Sequence, residues 1–210
     1  MKVTVRVLLV VAVILLAYMC YASLLVATKF EAEKKVRESA IIARLIDIRK
    51  AQIEYKNVHK EHAADFDQLA KFLNEEKLPF LIKEGVLTDE QLEAGMTEQE
   101  AVKKGILKRD TFWVIAKDTL FGKDFNANDL RNVPGINLQF SMDTATITSG
   151  SGYVIKVFEA GVKYDNYLGD LDKQLLFNLN EVAIKQNKYP GLRVGSLTEI
   201  NNSAGNWENF

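Results

Sequence analysis

Two histidines and a glutamate lie within four consecutive residues, a spacing that could present metal ligands on one helical turn. They are His59, Glu61 and His62 in the segment His59-Lys60-Glu61-His62. Zinc requires at least three protein ligands in tetrahedral or open geometry, and the chain contains no other histidine. We also expect this segment at a helix end, where exposed histidines are common, so the sequence predicts no metal site here.

A second group of side chains spaces oxygen ligands like the first half of a calcium-binding loop. Asp124, Asn126, Asn128 and Asp129 supply the oxygens. The pattern departs from such a loop at its sixth position, where Asp129 replaces glycine, and at Gly135, where a bidentate glutamate is required. A turn or a helix cap explains Asn128 and Asp129 equally well, and calcium binding is kept as an alternative.

A third, acidic group consists of Asp165, Asp170 and Asp172, which the sequence places in a solvated loop. No Ser–His–Asp or Cys–His set can be assembled, because both histidines share one segment and Cys20 lies in an apolar run. The sequence therefore predicts no catalytic residue, no cofactor and no enzyme activity.

The apolar run from Val7 to Thr28 is predicted to attach the rest of the chain to a membrane. It contains no charged residue and lies between Arg6 and Lys29. A helix of roughly 20 apolar residues crosses a bilayer core, so the run is long enough to span. We take these residues as representative of the membrane anchor: Val7, Leu15, Cys20 and Leu25.

Two targeting segments are alternatives to a permanent anchor. The apolar region of a signal peptide is usually about 7–15 residues long and ends in small residues, whereas this run is longer and is interrupted by bulky Tyr18, Met19 and Tyr21. A lipoprotein would use Cys20 as the lipidated residue, but Met19 precedes it where a small residue is expected. Both alternatives are disfavoured.

Basic residues flank the run on both sides, with Lys2 and Arg6 before it and Lys29, Lys34, Lys35 and Arg37 after it. Counted alone, they favour a cytoplasmic C-terminal domain. Long domains translocate largely regardless of flanking charge, so this count does not decide the orientation.

The rest of the chain has the composition of one soluble domain. Charged residues make up 26% of the sequence and the net charge is −1, which gives no basic face for nucleic acid. We predict a tail and transmembrane helix over residues 1–28, an amphipathic stalk over 29–60, and the remainder of one α+β domain over 61–210.

The stalk carries an apolar stripe at helical spacing. Between Lys29 and about His59 no proline or glycine interrupts the chain, so one rigid helix is expected, with a frayed joint near Thr28 to Phe30 as the alternative. The core-packing residues of the stripe are Ile41, Leu45, Ile48 and Tyr55, accompanied by Ile42 and Gln52. The residues predicted to point away from the core are Arg44, Asp47, Lys50 and Glu54.

Further elements follow from capping and turn signals. Asp65, with Gln68 at the capping-box position, predicts a helix to about Glu76, and Thr88 and Thr97 predict two short helices. The predicted strands are Thr111–Ala116, Ile136–Met142, Thr144–Thr148, Tyr153–Glu159, Gln174–Leu179 and an edge strand over Pro190–Gly195.

The segment Ala43–Phe72 resembles the lower half of the first helix in type IV pilins and type II secretion pseudopilins. Its layout is a helix end at Tyr55-Lys56-Asn57, a polar turn at His59 to Ala63 and a short helix at Asp65 to Phe72. The resemblance implies a long N-terminal transmembrane-plus-amphipathic helix packed on a small antiparallel sheet. It also implies a domain outside the cytoplasmic (inner) membrane, in the periplasm.

Most of the chain also resembles a group of uncharacterised single-pass envelope proteins from Bacteroidota, which carry no known activity. The matching segments are KRDT at Lys108–Thr111, LFGKDF at Leu120–Phe125, YPGLRVGSL at Tyr189–Leu197 and AGNWE at Ala204–Glu208.

The chain departs from the pilin pattern at its N-terminus. Pilin precursors carry a glycine before the apolar segment and a glutamate inside it, and neither is present in Met1 to Thr28. We therefore expect a permanent anchor that is neither processed nor polymerised. The predicted function is a non-enzymatic structural or assembly component that contacts the lipid bilayer and other envelope proteins. The alternative is an anchored module that binds a small molecule, a glycan or calcium.

Overall fold

The structure is a computed structural model that describes residues 2–85, 88, 91, 93 and 95–208. The chain is α+β, with a long N-terminal helix and small antiparallel sheets, which confirms the predicted fold class. Its elements, in chain order, are α1 (Lys2–His59), α2 (Phe66–Glu75), β1 (Lys77–Glu84), α3 (Glu98–Lys103), β2 (Lys108–Ile115), α4 (Ala116–Leu120), a 3-10 helix (Ala127–Arg131), β3 (Ser141–Thr148), β4 (Val154–Lys163), α5 (Tyr164–Leu168), α6 (Lys173–Lys185) and β5 (Gly191–Gly195).

The contacts within the chain divide it into two compact units. The first, which we call the anchor unit, is Met1–Phe66 together with Asp129–Phe210, and the second, the inserted unit, is Asp67–Asn128. The sequence predicts one domain over 61–210, and it carries no proline- or glycine-rich linker at either boundary.

Helix α1 runs without interruption for 58 residues. At 1.5 Å per residue it is roughly 85 Å long, and there is no joint near Thr28 to Phe30. It ends where Lys60 adopts a left-handed conformation, with φ of 62°, and donates its backbone N–H to the Lys56 carbonyl. A left-handed residue just after the last turn is a common way for a helix to stop.

The sheet of the anchor unit has the order β3-β4-β5, with both neighbouring pairs antiparallel. The C-terminal half of α1 packs on β4 and β5. Glycine is required at Gly195, where φ is +74° and a Cβ atom would lie 2.1 Å from the Phe158 carbonyl oxygen. The largest fully buried side chains of this unit are Ile41, Leu45, Ile48, Leu130, Phe158, Tyr167 and Leu168.

Two strand predictions in this unit are wrong. The segment Gln174–Leu179 belongs to α6, because the Asp172 side chain caps this helix by accepting hydrogen bonds from the backbone of Gln174 and Leu175. An apolar run of this length is ambiguous between strand and helix, and the cap decides it. The predicted strand Ile136–Met142 is also wrong over most of its length, since β3 begins at Ser141.

In the inserted unit, β1 pairs antiparallel with β2. Strand β1 was not predicted from the sequence. It contains Pro79, and proline is tolerated on an edge strand. The predicted capping box at Thr97 and Glu100 is present at the start of α3. The helix predicted from Thr88 lies largely outside the described residues.

Candidate functional site

The N-terminal half of α1 exposes apolar side chains on every side. The predicted anchor residues Val7, Leu15 and Leu25 are exposed, and so is Cys20. A helix that is apolar all round is typical of a membrane span or a protein core, and this segment is not buried in the protein. This single helix is long and apolar enough to span a membrane, which is compatible with a single-pass membrane protein.

The predicted stripe lies in the core of the anchor unit. Ile41, Leu45 and Ile48 are fully buried, whereas Tyr55 is half-buried and stacks near His59, with ring centroids 4.3 Å apart. Three of the residues predicted to point away, Arg44, Asp47 and Glu54, are half-buried, and Arg44 donates to the backbone carbonyl of Asp129.

A buried amide within the stripe holds the turn that follows α1. Gln52 is fully buried. Its Nε2 donates to the Ala63 carbonyl at 2.9 Å, and its Oε1 accepts from the Ala63 N–H at 3.0 Å. Both backbone groups of Ala63 are thereby satisfied. A glutamine at an otherwise apolar stripe position was the sequence signal for this role.

A polar cluster joins α1 to α5 and the residues just after it, about nine residues C-terminal to the end of the apolar run at Thr28. The Arg37 guanidinium forms a bidentate pair with Asp170, at 2.5 and 2.7 Å, and also donates to the Tyr167 carbonyl at 2.7 Å. The hydroxyl of buried Tyr167 donates to Glu38 Oε1 at 3.0 Å. We call these four residues the junction cluster.

Burial and hydrogen bonds shift the pKa values of side chains in this cluster. Burial raises the pKa of the Glu38 carboxyl, and the hydrogen bond from Tyr167 opposes that shift. Burial, together with the charge of Glu38, raises the pKa of Tyr167, so its hydroxyl remains a donor. The hydrogen bond from Arg37 lowers the pKa of Asp170. The polar atoms of this cluster bond to one another and to the Tyr167 carbonyl.

An open cleft of about 430 Å³ lies beside the junction cluster. Its lining includes Arg37, Asp170, Asn166 and Ile136. The cleft could receive a small polar ligand, which would have to compete with Asp170 for the Arg37 guanidinium.

The two histidines have different surroundings. His59 is exposed, whereas His62 is buried and packs on Phe158 with ring centroids 4.8 Å apart. Among the described residues, the Nδ1 atom of His62 has no hydrogen-bond partner. Burial, followed by the charge of Lys56, lowers the His62 pKa to about 4. Within the described ranges, no three His, Cys, Asp or Glu side chains converge as metal ligands.

The acidic groups have structural partners. Asp165 accepts from Asn180 at 2.7 Å, Asp170 pairs with Arg37, and Asp172 caps α6, so the prediction of a merely solvated loop is incomplete. In the calcium-like segment, Asn126 Oδ1 accepts from the Asn128 N–H at 3.2 Å, which is a local turn interaction.

Comparisons with protein-family models, with curated proteins and with solved structures find no match to this chain. The sequence did not reveal the contacts that form the junction cluster. Arg37 and Asp170 are 133 positions apart, so no local pattern could have paired them.

Proposed function

We propose that this chain is a non-enzymatic, single-pass envelope protein that holds a pilin-like α+β domain outside the cytoplasmic membrane. Its role is that of a structural or assembly component. The observation that carries the proposal is the continuity of α1, in which one 58-residue helix includes both the apolar segment and the stripe that forms the core. Such a helix is suited to fixing a folded domain at a defined place on a membrane.

A second observation supports an associative role. Strand β3 forms one edge of the anchor-unit sheet, and in the part of the chain that the structure describes no strand pairs with its outer side. An exposed edge can bind an extended segment of a partner through main-chain hydrogen bonds. Thr144 and Thr146 of this strand are exposed, so a partner could reach them.

The chemistry of the polar residues supports a non-enzymatic role. Arg37, Asp170, Glu38 and Tyr167 bond to one another, and Asp172 caps a helix. An enzyme needs a nucleophile or an acid–base pair directed at a reacting atom, whereas these groups are occupied in holding elements together.

The test is a topology experiment followed by crosslinking. A reporter that is active only outside the cytoplasm is fused after the last residue, and a reporter that is active only inside is the control. We expect activity of the first fusion alone, whereas activity of the second alone would refute the placement. A photocrosslinking residue at Thr146 should then capture envelope proteins, and the same residue at exposed Lys173 on α6 is the matched control.

The second candidate function is an anchored binding module, which the cleft beside Arg37 and Asp170 favours. This role predicts that a small polar molecule raises the thermal stability of the full chain in detergent. The stabilisation should be lost in Asp170→Asn, which changes the cleft, and kept in Asp143→Asn, which alters an exposed residue outside its lining.

A further inference from the structure

Helix α6 exposes three large apolar side chains to solvent. Phe177, Val182 and Ile184 are 59%, 52% and 57% exposed, although the helix has only 13 residues. Its polar ends carry Lys173 and Lys185. Phe177 and Ile184 lie on one flank of the helix, whereas Val182, at roughly 100° per residue, lies about 140–160° away on the other flank. A single surface can therefore contact only one of the two flanks.

The position of α6 along α1 can be determined from contacts inside the anchor unit. Lys56, near the end of α1, donates to the carbonyl of Lys156 early in β4. Glu38, farther towards the anchor, accepts from Tyr167 in α5. The chain therefore moves towards the apolar end of α1 as it passes through β4 and α5, and α6 follows next.

Helix α6 meets α1 where the uncharged run ends. A groove of about 250 Å³ lies between the two helices, and Phe30 at its base is 5% exposed. Thr28 is the last residue of the run, so the groove begins within one helical turn, roughly 5 Å, of that boundary. The residues lining the groove are Ala27, Phe30, Glu31, Leu175, Asn178, Leu179 and Val182.

The apolar surface is continuous across this boundary. Leu24 and Leu25, in the last turns of the uncharged run, are exposed. They lie within roughly two helical turns of Ala27 and Phe30, which line the groove together with Leu175, Leu179 and Val182 of α6. A lipid surface that covers Leu24 and Leu25 would therefore reach Val182 without crossing a polar band of α1.

We propose that α6 lies in the interfacial layer of the bilayer that α1 spans, with the flank that carries Val182 in contact with lipid. The inference rests on the proposed membrane span. Interfacial helices bury their apolar face roughly 5–10 Å into the headgroup boundary, a depth that α6 can reach from its place beside Phe30. The protein then contacts the membrane at two places, through the span of α1 and through α6.

The test measures the depth of single labelled cysteines in the full chain. In a Cys20→Ser background, a fluorophore is attached to Val182→Cys, Leu15→Cys or Val154→Cys, and each protein is reconstituted into vesicles of phosphatidylcholine and phosphatidylglycerol. Val154 is the matched control, because it is a valine that is 67% exposed and lies close to the contact with Lys56. Quenching is measured with nitroxide lipids labelled at the headgroup or in the acyl chain.

We expect headgroup nitroxides to quench the label at position 182 several-fold more strongly than the label at position 154, with acyl-chain nitroxides quenching the label at position 15. If the labels at positions 182 and 154 are quenched equally, whether strongly or weakly, while the label at position 15 is quenched, the interfacial position of α6 is refuted. The proposed membrane span of α1 is then still supported. If position 15 is not quenched, the proposed anchor itself fails. Circular dichroism confirms that each variant is folded.

Discussion

Lowering the pH should destabilise the anchor unit through one residue, His62. Its ring is buried against Phe158, and no group in the described part of the chain forms a hydrogen bond with its Nδ1. Protonation would place a positive charge there, near the ammonium groups of Lys56 and Lys156, with Glu61 as the neighbouring carboxylate. Glu61 already forms an ion pair with Lys156 at 2.8 Å, so it is not available to His62 alone.

The size of the effect follows from two pKa values for His62, the ordinary histidine value of 6.5 in the unfolded chain and about 4 in the folded chain. Between these pH values the unfolded chain binds the proton and the folded chain does not, so the free energy of unfolding falls as the pH falls. This contribution is complete above about pH 6.5 and lost by about pH 4, and its full size is roughly 3 kcal/mol. A loss of this size is a large fraction of a typical domain's stability.

The assay is denaturant unfolding of the full chain in detergent micelles, followed by tryptophan fluorescence at several pH values. The His62→Gln variant should lose this part of the pH dependence. His59→Gln, which alters an exposed histidine three residues earlier, is the matched control and should keep it. Carboxylates with shifted pKa values, such as Glu38 and Asp47, are common to all three proteins and cancel in the comparison.

An equal pH slope in the wild type and in His62→Gln would refute the reasoning. So would a directly measured His62 pKa near its ordinary value in the folded protein, because the linkage then has no source.

Three further predictions concern α1. Ile48→Asp places a carboxylate in a fully buried position and should cost more than about 4 kcal/mol, abolishing cooperative unfolding by circular dichroism, whereas Lys50→Asp at an exposed position should leave it intact. Gln52→Leu leaves both backbone groups of Ala63 unpaired and should lower the free energy of unfolding by about 2–3 kcal/mol in denaturant titrations. A double-mutant cycle of Arg37→Ala and Asp170→Ala should give a coupling of only about 1 kcal/mol or less, because Asp170 is largely exposed, and this coupling should shrink in high salt; a coupling that salt does not change would contradict a solvent-screened pair.

Local patterns predicted α1 well. The uncharged run and the spacing of Ile41, Leu45 and Ile48 define its two halves, since helical periodicity and apolar length depend only on neighbouring residues. The predicted strands Thr144–Thr148 and Tyr153–Glu159 likewise correspond to parts of β3 and β4, and the segment Ser149-Gly150-Ser151-Gly152 between them has the composition of a turn.

Elements that depend on a single cap or a distant partner were not predicted. Helix α6 was predicted as a strand because its apolar run fits either period, and only the Asp172 cap distinguishes them. Strand β1 was missed because its pairing with β2 spans more than twenty intervening residues. The junction cluster depends on the folded chain bringing Arg37 to Asp170, which no sequence window contains.

The absence of glycine and proline from residues 2–59 of α1 has a mechanical consequence. A helix without a hinge transmits tilt and rotation from its membrane half directly to the folded half. From Thr28 to Lys56 the axis extends roughly 42 Å, so a tilt of about 20°, which is ordinary for a transmembrane helix, moves the far end sideways by roughly 14 Å. One residue added between Thr28 and Lys29 would turn the two halves relative to each other by roughly 100°. The tilt of α1 in the bilayer, and the rotation between its two halves, would thus determine the position and the direction in which the β3 edge faces a partner.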